Sequence, residues 1–348
     1  MTRMRIAACI SIAALAAACA SDPQTPAVFA SAETEPVKSL DDAADDPAIW
    51  VNPADPSASR IFGTDKRAGL YVYDLSGAVL QFLPVGELNN VDLRQNVKIG
   101  GWAGDIAAAS NRTDNSVTLF VVEDGVVEET GSFPSMIEEP YGLCMGVWGG
   151  DVFAFVAHKT GDLVAYRIAG PGGGRQAARL KLESQLEGCV FDDETGFLYI
   201  GEEMRGIWKT EFDGASFAAP ALIDEVAGPS GVKADVEGLA LYKTGEGRGY
   251  LLASSQGNNS YAVYRREGDN EFVARFSVTA GEAIDGSEET DGVEATSAYL
   301  GDAFPNGVFI AQDGYNAPKG SAQNFKIVDW REIEALIEAE EDAAARSD

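Results

Sequence analysis

The chain has 348 residues, enough for one large domain or two ordinary ones, and 45% of them are hydrophobic, which argues against a disordered polymer. Against 26 Lys and Arg stand 55 Asp and Glu, a formal net charge of −29. Such a surface repels nucleic acid and anionic lipid, so no nucleic-acid partner is expected. It would repel a phosphorylated substrate as well, unless bound cations cancel the field locally.

Arg3 and Arg5 precede an apolar run of small residues from Ile6 to Ala18, too short to span a bilayer as a helix, which ends in Ala16-Ala17-Ala18-Cys19. Residues 1–18 read as an export signal. A small-residue run before a cysteine matches lipoprotein processing, with Cys19 lipidated and anchored in an outer membrane. Leu15 stands one place further upstream than that motif puts it, and ordinary cleavage nearby is the alternative. Either way the mature chain is expected outside the cytoplasm, as an outer-membrane lipoprotein, periplasmic or extracellular. Residues 19–32, rich in Ala, Ser and Pro, read as a flexible tether, and 33–348 as a single domain. Of four cysteines, Cys9 lies in the signal and Cys19 at its end. Cys144 and Cys189 remain, either paired in an oxidising compartment or present as two buried thiols.

From Asp46 onward a weak unit recurs. An acidic or Tyr-Gly element precedes a short apolar strand at Asp46, Asp92, Tyr141, Glu187, Glu237 and Asp291, 46 to 54 residues apart. A second strand follows each, beginning at Ile61, Ile106, Phe153, Leu198, Tyr250 and Val308. A third, often aromatic, begins at Leu70, Leu119, Leu163, Gly206, Tyr261 and Phe325. These runs are β-rich and separated by Gly, Asn, Asp and Pro. Six repeats of blade size predict an all-β fold, a six-bladed β-propeller; a pair of sandwiches or an irregular barrel is the competing arrangement. Arg331 to Arg346 predicts a short acidic helical tail.

Innermost propeller strands line the central channel, so their starts gather at one mouth. The acids there are Asp45, Asp46, Glu187, Asp235, Glu237, Asp285 and Asp291, with Glu203 closing a second strand. Carboxylates packed closely cannot all ionise uncompensated. Calcium, which takes carboxylate, carbonyl and water oxygens in flexible geometry, is the expected compensating ion, since His and Cys ligands for zinc are scarce. Any single acid of the set can instead be capping a turn. Lys66, Arg67, Arg112 and Lys159 follow second strands in three successive repeats, beside Tyr141, where they suit phosphate recognition; surface salt bridges are the bland alternative. With one histidine and no cysteine ahead of a phosphate-cradling loop, covalent His or Cys catalysis is not expected, and metal-activated water remains. Cys144 and Cys189 lie two or three places into consecutive inner strands, which would let them face each other across neighbouring blades.

The stretches DDPAIWVNP, GLYVYDLSG, LNNVDLR, AAASNR, EGCVFDDETGFLYIGEE, DVEGLALY, SSQGNNSYAVY, ETDGVE, AQDG and QNFKIVDW closely resemble the β-propeller phytases, in order, from about Glu33 to Trp330. The resemblance implies several calcium ions, structural and catalytic, attack by a calcium-bound water without a covalent intermediate, and phytate or calcium-phytate as substrate. It implies a structural calcium site at Asp46 with the carbonyls of Pro47 and Val91, and another at Asp285, Asp313 and Asn316. Glu33, Asp45, Glu187, Glu203, Asp235, Glu237 and Asp291 match its catalytic calcium ligands. Lys66, Arg112, Tyr141 and Lys159 match its phosphate contacts, and Gln256 fits a polar contact there. Two rivals are weighed against it: a single-metal propeller lactonase or esterase, which needs an apolar pocket rather than three cations, and a non-catalytic lipoprotein propeller, which needs no converging acids. A monomer is expected.

Overall fold

The computed structural model describes residues 25–347 apart from 319; the expected export signal, Cys19 and the beginning of the expected tether lie outside them. Two short strands come first, β1 (Ala27–Phe29) and β2 (Ala32–Glu33). Blade 1 is then β3 (Ala44–Trp50), β4 (Arg60–Asp65), β5 (Gly69–Tyr73) and β6 (Val79–Leu83). Blade 2 is β7 (Leu88–Ile99), β8 (Trp102–Asn111), β9 (Ser116–Glu123) and β10 (Val126–Pro134). Blade 3 comprises β11 (Pro140–Trp148), β12 (Asp151–His158), β13 (Asp162–Gly170) and β14 (Gly173–Lys181), and blade 4 β15 (Leu186–Phe191), β16 (Phe197–Glu202), β17 (Gly206–Glu211) and β18 (Ala221–Glu225). Blade 5 has β19 (Val236–Gly245), β20 (Arg248–Ser255), β21 (Ser260–Arg265) and β22 (Phe272–Thr279); blade 6 has β23 (Val293–Thr296), β24 (Val308–Asp313) and β25 (Asn324–Asp329).

Each blade is an antiparallel meander, and the inner strands β3, β7, β11, β15, β19 and β23 lie side by side in a closed ring, β23 returning to β3. The second strands are buried on both faces, which is why IFGTD and FAFVAH read as continuous apolar runs rather than alternating ones. Outermost strands such as β10 are largely solvent-facing, with Val127 and Phe133 turned inward. Six apolar clusters fill the seams between neighbouring blades.

The ring is closed by the start of the chain. β2 supplies the fourth strand of blade 6, pairing antiparallel with β25 (Ala32 opposite Ile327, Glu33 opposite Lys326), and β1 adds in parallel to β22. Residues 27–33 are therefore part of the propeller and not of a tether. The backbone pairs with a sheet edge, and Val28, 1% exposed, enters the core beside Phe276. The terminal helix α1 (Trp330–Ser347) is docked: Trp330 stacks on Tyr242 with ring centroids 3.4 Å apart, and Ile333 and Ile337 are buried with it.

Cys144 and Cys189 form a disulfide between β11 and β15, Cα atoms 5.6 Å apart, so the paired alternative is the one the structure contains.

Candidate active site

The inner strands share one irregularity that builds the site. In blade 1, Ala44 pairs with Asp65 and Pro47 with Gly63, so two residues, Asp45 and Asp46, stand opposite one. The same bulge recurs at Asn89-Asn90, Tyr141-Gly142, Glu187-Gly188 and Glu237-Gly238, and in blade 6 Asp291-Gly292 occupies the corresponding place ahead of Val293. A bulge re-aims a side chain at a sheet end. The second bulge residue must be small where the next strand crowds in: a Cβ on Gly142 would lie 1.8 Å from the Glu187 carbonyl oxygen, and one on Gly188 1.9 Å from that of Glu237.

The ring position is thus Asp45, Asn89, Tyr141, Glu187, Glu237 and Asp291. This corrects the register read from the sequence, in which Asp46 and Asp92 were the counterparts of Glu187. Asp46 points one step further along the channel, where its Oδ2 accepts from the Val91 amide at 3.0 Å, and together with Pro47 and Val91 it lines a narrow void. Asp92 binds the Met145 amide and Arg94.

At the mouth, Glu187, Glu203 and Glu237 present carboxylate oxygens within 4.8 Å of one another, all buried. Glu203 and Glu237 line a cavity of about 570 Å³ together with Asp235, Lys66, Tyr141, Gln256 and Asp291. Burial and then the Glu187 charge push Glu237 well above the usual carboxylate range and Glu203 to about 7. The same two causes raise Asp235. Asp291 is pushed up to about 6, burial outweighing the help of Lys66, and Asp45, wholly buried, is raised by desolvation. Both Asp45 oxygens, Glu187 Oε2 and Glu237 Oε2 have no hydrogen-bond partner among the described residues. Buried acceptors left bare and oxygen-only donors fit a hard divalent cation, and the acidic cluster is suited to hold a metal.

The cations stand against these acids. Lys66 Nζ is 2.5 Å from Asp42 and 2.6 Å from Asp291, and the Arg112 guanidinium reaches the Lys66 carbonyl at 3.2 Å with its Nε buried and bare. Lys159 sits over the Tyr141 ring, 4.2 Å from its centroid. Burial, with Glu187 and Asp45 nearby, pushes the Tyr141 phenol upward, so it stays a donor. Gln256 Nε2 donates to Asp291 Oδ1 at 2.8 Å. Arg67 is half exposed, its Nε on the Asp42 carbonyl at the rim.

Two residues expected at the mouth are elsewhere. Glu33 and Asp285 gather with Asp313 and Asn316 at the edge of blade 6, around Lys326, whose Nζ is 2.5 Å from Glu33 Oε2, 3.2 Å from Asp313 Oδ2 and paired with Asp285. Glu33 is therefore grouped with this second cluster rather than with Glu187, because β2 holds it beside β25; Asp285 lies on the loop leaving β22, not on an inner strand. Asp42, Gln185, whose amide binds Glu203, and Asn89 also belong to the site but are not among the residues the sequence singles out; the common offset of each bulge from its strand is the signal that finds Asn89.

Fold and site together define a six-bladed propeller with a buried acidic cluster at one channel mouth, faced by cations. The phytase family model matches residues 2–347, and the chain belongs to that family. It is 43% identical over 322 residues to the 3-phytase of Bacillus subtilis (strain 168), covering 88% of this chain and 84% of that protein. Among solved structures, the Cps50 (Swd1) β-propeller domain of Myceliophteria thermophila aligns with a TM-score of 0.48 and 12% identity, covering 82% of this chain and 83% of that one. A BBS1N structure in complex with ARL6DN aligns with a TM-score of 0.49 and 13% identity, covering 81% and 78%.

Proposed function

We propose that the protein is a calcium-dependent phytase, a phosphomonoesterase that hydrolyses phytate to lower inositol phosphates and phosphate. The observation that carries this is the buried cluster of Glu187, Glu203 and Glu237, with bare oxygens on Glu187 and Glu237, whose members Glu203 and Glu237 line the same cavity as Lys66 and Tyr141. Family membership supplies the substrate class.

Calcium, when bound, supplies the positive charge that offsets these carboxylates and the substrate's phosphates and activates water for in-line attack. The chain's own residues do the rest. Lys66, Arg112 and Lys159 bind phosphate oxygens, and the Tyr141 hydroxyl donates to one of them. Asp291 and Asp42 fix Lys66 against the cavity wall. Glu187 and Glu237, on successive blades, hold the attacking water. Its oxygen bonds to phosphorus as the ester P–O bond breaks, and the proton the water gives up ends on the leaving inositol oxygen, so that an inositol hydroxyl and free phosphate result. The Asp46–Pro47–Val91 void is a proposed structural calcium site; at the Asp285–Asp313–Asn316 group a calcium would have to share the carboxylates with Lys326, whose ammonium already pairs with Asp285 and Asp313. The charged lining of the cavity does not favour a lactonase, which needs an apolar pocket. The basic N-terminal start followed by an apolar run, and the disulfide, support action outside the cytoplasm.

The test is phosphate release from phytate with calcium, then after chelation, with a carboxylic ester assayed in parallel. Release that needs calcium and spares the ester supports the reading; ester cleavage without phosphate release overturns it.

A further inference from the structure

Five members of the ring at the channel mouth are assigned above, and the sixth is Asn89. It occupies the first bulge position of blade 2, as Asp45, Tyr141, Glu187, Glu237 and Asp291 do in theirs. The residue is fully buried, 0% exposed. Its carbonyl is held by Thr64 Oγ1 at 2.5 Å, and the same hydroxyl accepts from the Asp46 amide at 3.0 Å, so blade 1 fixes the backbone. The side chain reaches past blade 3 to blade 4: Nδ2 donates to Glu187 Oε1 at 3.2 Å and to Asn90 Oδ1 at 3.0 Å. Oδ1 is buried with no hydrogen-bond partner among the described residues.

We infer that Asn89 is a positioning residue of this active site: its Nδ2 fixes the Glu187 carboxylate, and its bare Oδ1 adds an uncharged oxygen to the donors available to the cation held there. The physical case has two parts. A carboxylate among like charges has no preferred orientation unless a donor aims it, and Asn89 supplies the amide donor that touches Glu187. A buried amide oxygen left bare is costly, and a cation or its water at the mouth removes that cost. An aspartate here would add another negative charge to the ring; a leucine of equal size would offer neither donor nor acceptor.

This inference rests on the phytase reading for its kinetic arm only. The experiment uses the full chain with Asn89→Leu and Asn89→Asp. Calcium binding to chelator-treated protein is followed by calorimetry, phytate hydrolysis at saturating calcium by phosphate release, and thermal melting in excess calcium. Asn89→Leu is expected to weaken the affected calcium site about tenfold and to lower kcat roughly 10- to 100-fold, with KM within about twofold and the melt nearly unchanged. Asn89→Asp, which keeps an oxygen but loses the donor, is expected to retain calcium and still lose kcat. Wild-type calcium binding and kcat in Asn89→Leu overturn the inference, as does a lowered melt with both preserved. If Asn89→Leu does not fold, Asn89→Asp with native kcat overturns the positioning role. A wild-type protein that binds calcium but releases no phosphate from phytate sinks the phytase reading instead, and calorimetry of the variants still judges Asn89.

Discussion

Lys66 Nζ lies 2.6 Å from Asp291 Oδ2, joining the first blade to the last across 225 residues of sequence. Burial opposes the Lys66 charge, but Asp45, Asp291 and Asp42 more than offset it and hold the ammonium well above its ordinary range. The lysine is thus the protein's internal counterion at the mouth and, in the proposed reaction, a phosphate ligand. Lys66→Met keeps the length and deletes the charge. It is expected to lower kcat/KM on phytate about 100-fold, some 2.7 kcal/mol of transition-state stabilisation, and to tighten calcium binding, because a competing cation has gone. Steady-state kinetics and a calcium titration check both, and unchanged kcat/KM would remove Lys66 from the phosphate contacts.

Glu187 and Glu237 share the ring position on successive blades, and each has one bare buried oxygen. Glu187→Gln and Glu237→Gln are expected to lower kcat by two orders of magnitude or more while KM moves little, since they act mainly in the transition state. Arg112→Ala and Lys159→Ala, which remove ground-state phosphate contacts as well, should change both parameters. Melting curves of all four separate chemistry from scaffolding. A Glu187→Gln protein that melts normally and turns over at the native rate places the attacking water elsewhere.

The Cys144–Cys189 bond spans 45 residues and staples blade 3 to blade 4 at their inner strands. Cross-linking a loop of that length removes denatured-state entropy worth about 4 kcal/mol in the chain-entropy account. Cys144→Ala with Cys189→Ala is expected to melt several degrees lower and to keep phytate turnover within about twofold at 25 °C, because neither sulfur lines the cavity that holds Lys66 and Tyr141. Thiol titration of the denatured, unreduced protein gives the direct check: reactive thiols at both positions would contradict the bond.

The repeat was legible because each blade needs one doubly buried second strand, and IAAAS, FAFVAH and YLLASSQG announce it by composition. Register at the mouth was not. The bulge places two adjacent side chains opposite one residue, so Asp45 and Asp46 look interchangeable in a sequence and differ by a step along the channel in space. A search for acids also finds Asp92 before Asn89, although only Asn89 reaches Glu187. β1 and β2 carry three and two residues, too few for alternation to register, and their strand character comes from the edges they cover. Glu33 was misplaced for the same reason: its position depends on a partner strand almost 300 residues away.

Chelation gives the remaining test, and its sign follows from the raised carboxylates. In calcium-free protein Glu203 is held at about 7 and Asp291 at about 6, with Asp45 and Glu237 also raised, whereas unfolded chains titrate near 4. Between those values the folded state binds protons that the unfolded state has released, so stability falls as pH rises through the window. The calcium-free protein should accordingly melt highest near pH 5 and lose stability progressively towards pH 8, as each carboxylate is forced to ionise beside its neighbours. Calcium removes that cost by binding the ionised, folded form, and at 100 times the dissociation constant it adds about 2.7 kcal/mol per site by mass action. The two melting curves should therefore lie close together at pH 5 and diverge towards pH 8. Parallel curves across that range, or a calcium-free protein most stable at pH 8, would show that these carboxylates are not the groups calcium compensates.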